Sequence, residues 1–600
     1  MYSLKTDKYS ELVWIISQKS GDGLVEIYQD SNLVFIKRYT SSLPWYDKIL
    51  LQKNSVYKIF CNSVEIHFAY LCGNQDVLDK GVCFLEFGED GVTKFDDGNM
   101  DQAYEQKYRN AFHFCTFKNW MNDPNGLCFY NGRYHLFYQM NPAGLNWGNV
   151  YWGHACSKDL VQWIHLPIAL YPQRELYGLN NYKGGAYSGS AWPEKQGISL
   201  YFTRHFSPWK KGIETKEVQV QAFCEDEVTV KEEKVIIEEK PGGSRDYNFR
   251  DPSVVMIGQK KYLLIGTTVG GRCTVEKYGE DQGIWTDLGV FFQDDIECET
   301  IECVNFIQGE NGQCALLCSL QNAADPAGRK RLMKYYTGVL EDGKFLPKTE
   351  GIYDFGTECY AAQAFGAGDR VLSFGWILSA YGEFPADERR LSGGALNGQS
   401  ASECPTDGYI SDSRSSNVGI CSGCMASECP SNGCMTIPRE LTVDGGYLLT
   451  KPAREIKSLL YDRKTIIENG RKINSIPDIS NVYHLFLKLK SKTDFRIILA
   501  QNESRQIGVE YENSRLTLIY GNKDQHPYPT LYETVDTVRR LEIFVDKSSI
   551  ELFVNDGRQV GTKTYFFKPY DKSMEYRFEH GEEVEELTVS RIKNIWKKWR

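Results

Sequence analysis

The 600-residue chain contains no run of about 18 apolar residues, so no transmembrane helix is expected. Its first residues, MYSLKTDKYSELVWIISQKSGD, lack a basic stretch leading into a continuous apolar one, and no signal peptide is expected. Positive charge is in deficit, with 69 Lys and Arg against 79 Asp and Glu, a net charge of -10 and a pI near 5.6. That balance excludes the basic footprint of a nucleic-acid partner or of a polybasic membrane surface. The 18 cysteines are scattered through a large chain and lack the density of a small disulfide scaffold. Together with the missing export signal, this leads us to expect free thiols and a cytoplasmic protein. Long amphipathic helical patterns are rare, and TKPAREIKSLLYDRKTI (450 to 466) is the best helix candidate.

What the chain does have is aromatic side chains: 13% of residues, including 37 Tyr and 12 Trp. Such rings suit sheet surfaces and sites that stack flat ligands such as sugars. Short strand-like runs broken by turns dominate. LCFYNGRYHLFYQ (127 to 139) places Asn131-Gly132 between two apolar-aromatic runs, a strong hairpin signal. LEIFVDKSSIELFVNDGRQV (541 to 560) reads as two strands around a tight polar turn. The fold class is all-β; periodicity does not choose among sandwich, barrel and propeller.

Six hundred residues exceed one core, and three blocks suggest themselves: 1–105, 106–450 and 451–600. The first is β-rich and carries no motif. Within the second, residues 389–433 are rich in Ser, Gly and Cys, and read as an inserted loop. Its Cys421-x-x-Cys424, with Cys429 and Cys434, matches no recognised zinc spacing, and no metal is expected.

Three acidic stretches stand out. WMNDPNG (120 to 126) reads as a stiff turn, with Pro124 forcing Asp123 into an extended backbone. NFRDPSV (248 to 254) treats Asp251 in the same way and sets Arg250 beside it. IECETIECVNF (296 to 306) holds Glu297, Glu299 and Glu302 in an apolar setting. An adjacent Arg lowers a carboxyl pKa and an apolar pocket raises it. One acid held charged and another held protonated is what glycosidic cleavage requires.

WMNDPNG, FYQMNP (137 to 142), WGHACSKDLVQW (152 to 163), YSGSAW (187 to 192), FRDPSV (249 to 254) and IECVNF (301 to 306) follow one another in a characteristic order. YAAQAF (360 to 365), FGWIL (374 to 378), CMTIPREL (434 to 441) and VDKSSIELFVNDG (545 to 557) continue the series. In these motifs the chain resembles glycoside hydrolase family 32, the invertases, sucrose-6-phosphate hydrolases, levanases and inulinases, over roughly residues 110 to 600.

The resemblance implies a five-bladed β-propeller followed by a C-terminal β-sandwich, here with an extra N-terminal β-rich domain. It implies a retaining mechanism with Asp123 as nucleophile and Glu302 as acid/base, their carboxyls roughly 5–5.5 Å apart. Asp251, with Arg250, would grip fructose hydroxyls and stabilise the oxocarbenium-like transition state. Asn122, Gln139, Trp147, Tyr187 and Ser188 match positions lining the fructose pocket, and Trp376 would offer an apolar wall. Glu358 stands where the family has an Asp-Phe pair and would contact the sugar. The expected partner is a small sugar (sucrose, sucrose 6-phosphate or a fructo-oligosaccharide), with no cofactor. Fructosyl transfer at the same site and a silent carbohydrate-binding homologue are the alternatives.

Besides Glu358, the pattern departs in two further places. Glu302-Cys303-Val304 replaces Glu-Cys-Pro, and Phe202-Thr203-Arg204-His205 replaces Tyr-Thr-Gly-Asn. Arg204, His205, Lys210 and Lys211 form either a solvated charged loop, the reading we favour, or a phosphate site.

Overall fold

The computed structural model describes residues 1–177, 182–208, 215–238, 248–309, 312–323, 325, 329, 331–378, 431–479, 481–523, 532–567, 569 and 574–597. Nearly all of the described secondary structure is strand, and the helical segments are short, such as Val77–Lys80.

The first two sheets share one apolar core. A four-stranded sheet (Tyr2–Lys5, Val56–Asn62, Gly23–Gln29, Asn32–Tyr39) and a five-stranded one (Trp45–Leu50, Glu11–Gln18, Val64–Cys72, Cys83–Gly88, Gly91–Phe95) enclose Leu12, Trp14, Val25, Ile27, Ile59 and Leu71. The run LVWII is continuous rather than alternating because Glu11–Gln18 is covered on both faces. The other face of the five-stranded sheet, with Val13, Ile15, Phe68 and Tyr70, joins a core containing Met121, Leu136, Phe374 and Trp596.

Five antiparallel sheets follow one after another. Their leading strands are Asn119–Tyr130, Tyr182–Glu194, Phe249–Ile257, Thr300–Gln308 and Cys359–Ala367. Each leading strand contacts the next, and Cys359–Ala367 contacts Asn119–Tyr130, so the five close a ring. Ser431–Asn432 strengthens the closure by pairing parallel to Asn119 and Trp120, and Cys434–Met435 pairs with Trp376 and Ile377. Residues 431–433, expected within the inserted loop, therefore include a buried strand; the rest of that insert, 389–430, lies outside the described residues.

Two local expectations change. WMNDPNG is not a turn but part of the twelve-residue strand Asn119–Tyr130, bulged between Met121 and Pro124 and again between Asn125 and Cys128. The bulges absorb Pro124, which cannot donate to a ladder, and Gly126, whose φ is +52°. A Cβ at Gly126 would come within 2.7 Å of the Phe137 ring. The helix expected over 450–466 is reduced to a 3-10 segment, Arg454–Leu459, between strands Tyr447–Pro452 and Leu460–Glu468. Pairing of Leu460–Glu468 with Val584–Ile592 outweighs the local helical pattern. The Asn131-Gly132 hairpin forms as expected, with φ of +46° and +75°.

The last part of the chain forms a seven-stranded and a five-stranded sheet over a common core that includes Leu485, Ile497, Val509, Ile543 and Leu552. Fully buried charges bind these sheets to the ring. Asp546 accepts from the Ala111 and Phe112 N–H groups, and lies 2.8 Å from His113 Nδ1. Glu551 meets His113 Nε2 at 3.0 Å and the Arg439 guanidinium at 2.6 Å, while Arg439 also reaches Asp354 at 3.1 Å. Removing one partner from such a set costs about 3–5 kcal/mol.

Burial by itself would lower the His113 pKa, but the hydrogen bonds to Asp546 and Glu551 outweigh it and raise the pKa from 6.5 to about 9. The stabilisation from charged His113 is complete below pH 6.5 and is lost as pH rises through about 9. The Tm difference between wild type and His113→Gln should therefore shrink across that window. A difference that stays constant would mean that the folded-state pKa of His113 is not raised across that window.

Candidate active site

The leading strands of the second to fifth sheets each carry a register break: Ala186/Gly189, Arg250/Ser253, Glu302/Asn305 and Tyr360/Gln363. With the two bulges of Asn119–Tyr130, every leading strand of the ring is broken within one of the ordered sequence motifs. A bulge re-aims side chains that regular alternation would send to opposite faces. Asp251, Cys303 and Ala361 take φ of +62°, +48° and +51°, a backbone that L residues rarely adopt.

The breaks bring Asp123, Asp251 and Glu302 together. Asp123 Oδ2 accepts from Ser188 Oγ at 2.6 Å, and Oδ1 from Asn122 Nδ2 at 3.0 Å. Gln139 Nε2 donates to Ser188 Oγ at 2.6 Å, fixing the hydroxyl that fixes the acid. The Cys303 thiol lies between two carboxylates, 3.9 Å from Asp123 Oδ2 and 3.7 Å from Asp251 Oδ2, and its N–H donates to Asp251 Oδ2 at 3.1 Å. Arg250 donates to Glu302 Oε1 from Nε and a terminal nitrogen at 3.1 and 3.0 Å. Tyr360 donates to Glu302 Oε2 at 2.7 Å. The other terminal nitrogen of Arg250 reaches Glu217 at 2.9 Å, and Glu217 lies 3.0 Å from His205 Nδ1.

Burial pushes the Asp123 carboxyl up to about 7; the Ser188 and Asn122 hydrogen bonds oppose this and the Glu302 charge adds to it. Burial, then Glu302, holds Asp251 well above the usual carboxylate range despite Arg250. Burial likewise raises Cys303, which is a neutral donor here rather than a thiolate. Burial would raise Glu217 too, but Arg250 and His205 outweigh it and bring it down to about 2.

Two electrostatic expectations are corrected. Arg250 draws its sequence neighbour Asp251 down, but burial and the Glu302 charge outweigh it, and the guanidinium is hydrogen-bonded to Glu302 and Glu217 instead. Glu302 does not sit in an apolar setting, since Arg250 and Tyr360 occupy both of its oxygens. The choice among glutamates is clear, for Glu302 faces the other acids whereas Glu297 and Glu299 are exposed.

The remaining candidates divide. Asn122, Gln139 and Ser188 are within the hydrogen-bonded set. Tyr187 stacks on His205 with ring centres 4.0 Å apart. Trp147 is half-buried against a cluster containing Cys303, Tyr360 and Trp376, with Lys183 Nζ 5.1 Å from its ring centre. Trp376, 5% exposed, packs edge-on against Trp120 and belongs to that core. Glu358 is corrected. It is buried and ion-paired with Lys563 across the seam to the last sheets, because it precedes the leading strand Cys359–Ala367 rather than lying on its break. Arg204 and His205 are not a solvated loop. Both lie in strand Gly197–Pro208, Arg204 bound to Glu233 and to the Tyr171 carbonyl, His205 to Glu217. Lys210 and Lys211 lie outside the described residues.

Sequence reasoning missed Glu217, and gave Tyr360 and Cys303 no role. Glu217 could have been noticed as an acid within the alternating strand KEVQVQAFC. Among the described residues, no group of three His, Cys, Asp or Glu could hold a metal ion.

Half-buried carboxyls in unequal environments, one seated on hydroxyl and amide donors and one on a guanidinium and a phenol, can serve nucleophilic and proton-transfer roles. The chain matches the model of the glycosyl hydrolases family 32 N-terminal domain over residues 113–387 and that of the family's C-terminal domain over 455–594. The chain belongs to glycoside hydrolase family 32. It is 28% identical to a levanase from Bacillus subtilis over 545 residues, covering 83% of this chain and 72% of that protein. It is 28% identical to a sucrose-6-phosphate hydrolase from Escherichia coli over 495 residues, 78% of this chain and 92% of the relative. A family 32 structure from Bifidobacterium adolescentis superposes with a TM-score of 0.80 at 25% identity, over 99% of this chain and 100% of that one.

Within this family 32 chain, Glu217 holds Arg250 from the side opposite Glu302. Glu217→Gln should lower kcat by up to about 100-fold through misplacement of the guanidinium, whereas Glu297→Gln should leave it unchanged. Steady-state kinetics of both variants checks this, and equal losses would overturn the assignment.

Proposed function

We propose that the chain is a retaining β-fructofuranosidase that releases terminal β-D-fructosyl units from sucrose or short fructo-oligosaccharides. The observation that carries this reading is the convergence of Asp123, Asp251 and Glu302 from three leading strands, joined by Cys303 and Arg250. Asp123 attacks the anomeric carbon while Glu302 protonates the departing oxygen, and Glu302 then takes a proton from the water that releases fructose. Asp251 accepts hydrogen bonds from fructose hydroxyls. Tyr187 and Trp147 supply apolar faces to the sugar.

The five sheets are, in this reading, the blades of a five-bladed β-propeller, supported by the ring order of their leading strands and the closure at 431–435. The last two sheets form a C-terminal β-sandwich, and the blocks 1–105, 106–450 and 451–600 are three domains.

Unphosphorylated substrates are favoured because Arg204 and His205, two of the four basic candidates, are committed to Glu233 and Glu217. Hydrolysis of sucrose, sucrose 6-phosphate, kestose and inulin should be compared side by side in wild type, Asp123→Asn and Glu302→Gln. Sucrose or kestose should be preferred, and each variant should lose at least about 1,000-fold in kcat. An active Glu302→Gln would overturn the role of that residue, and no turnover on any sugar would overturn the reading.

Asp123 must be ionised to attack. With its carboxyl pushed up to about 7, kcat/KM for the free enzyme should climb as pH rises through about 7. A rate that is flat down to pH 5 or so would show that Asp123 is charged throughout.

A further inference from the structure

A cleft of about 780 Å³ lies between the five-stranded N-terminal sheet and the outer strands of the first two ring sheets. None of the residues lining it belongs to the constellation around Asp123. The sheet supplies one wall. Val13 is registered with both Lys48 and Tyr70, and Glu11 with Cys72, so these side chains share a face. That face changes character along its length. Val13 and Tyr70 take part in the core shared with the ring, whereas Glu11 and Lys48 carry charge at the cleft.

The opposite wall is centred on Tyr171. Its ring lies 4.4 Å from that of Tyr46, its hydroxyl is 3.2 Å from Tyr70 Oη, and Lys48 Nζ is 4.3 Å from its ring centre. Three tyrosines thus meet where two units of the fold join. Two buried amide oxygens in the lining, Asn74 Oδ1 and Gln173 Oε1, have no hydrogen-bond partner among the described residues. Carboxylates and cations are nearly balanced, four to three, and Arg204 is already engaged by Glu233.

We infer that this cleft is a second binding site, for an uncharged oligosaccharide. Aromatic faces suit the C–H faces of sugar rings, and the carboxylates in the lining accept from hydroxyl groups. The near balance of charge gives no advantage to a phosphate or a polyanion. The volume falls within the ~300–1,000 Å³ of small-molecule sites. Through this site the N-terminal sheets hold a saccharide chain against the catalytic ring. Only the choice of a fructo-oligosaccharide as probe rests on the proposed β-fructofuranosidase activity.

The test is calorimetric titration of the full-length Asp123→Asn protein with nystose, a neutral tetrasaccharide, with and without Tyr46→Ala or Trp147→Ala. Two sites are expected, one weakened at least tenfold by Tyr46→Ala and the other by Trp147→Ala. Because Tyr46 also packs into the shared core, Lys48→Ala at an exposed residue serves as the second variant, and it should weaken the same site as Tyr46→Ala. Binding that depends on Trp147 alone would overturn the cleft assignment and leave the fructosidase reading intact. Binding that depends on Tyr46 and Lys48 alone would support the cleft and count against that reading. No binding would overturn the cleft assignment, and the hydrolysis comparison would then judge the fructosidase reading by itself.

Discussion

Three carboxyl groups sit together at the meeting point of five strands, with one guanidinium, that of Arg250, to offset them. In water the cluster would be ordinary; within a protein interior it is strongly unfavourable unless charge is neutralised by protons, hydrogen bonds or a cation. The surrounding residues answer this constraint in different ways. Ser188 and Asn122 seat Asp123, the Cys303 N–H seats Asp251, and Arg250 with Tyr360 seats Glu302. Glu217 carries a further negative charge, held by Arg250 and His205. The raised carboxyls of Asp123 and Asp251 reflect the repulsion and burial that these contacts do not cancel.

The fold meets the geometric side of the same problem with one device, repeated. Each leading strand of the ring is broken where a site residue stands, and the break turns that side chain towards its neighbours. Positive φ at Asp251 and Cys303 is a strained backbone, of order 1–3 kcal/mol each. It persists because four-stranded ladders on one side and adjoining leading strands on the other leave no relaxed alternative. Buried ion pairs through Arg439, Glu551, Asp546 and His113 then fix the closing segment of the ring to the last two sheets. The site is thereby placed on a rigid frame rather than on mobile loops, which suits chemistry that depends on sub-ångström positioning.

Much of this was legible beforehand. The all-β class, the Asn131-Gly132 hairpin and the three acids came from composition, turn chemistry and motif order. What failed did so for identifiable reasons. WMNDPNG has turn propensity in every residue from Asn122 on, yet the ladder to Arg133–Asn141, and pairing of Trp120 with Asn432 at its start, hold it as a bulged strand. Residues 450–466 have helical periodicity, yet an edge of the last sheet captures half of them. Glu358 looked like a site residue by its place before YAAQAF, and Lys563, far along the chain, claims it.

The sequence by itself singled out Asp123, Asp251 and Glu302 as candidates, because acids placed within an ordered series of family-like motifs are legible without coordinates. It also determined the strand-rich class, since period-two patterning and turn residues are local. Only the tertiary structure decided which acid Arg250 would serve, and that Glu217 and Tyr360 belong to the site. Those outcomes depend on strands far apart in the chain meeting at their bulges. A side chain's partner across such a gap is fixed by register and ring closure, and neither is written in the residues next to it.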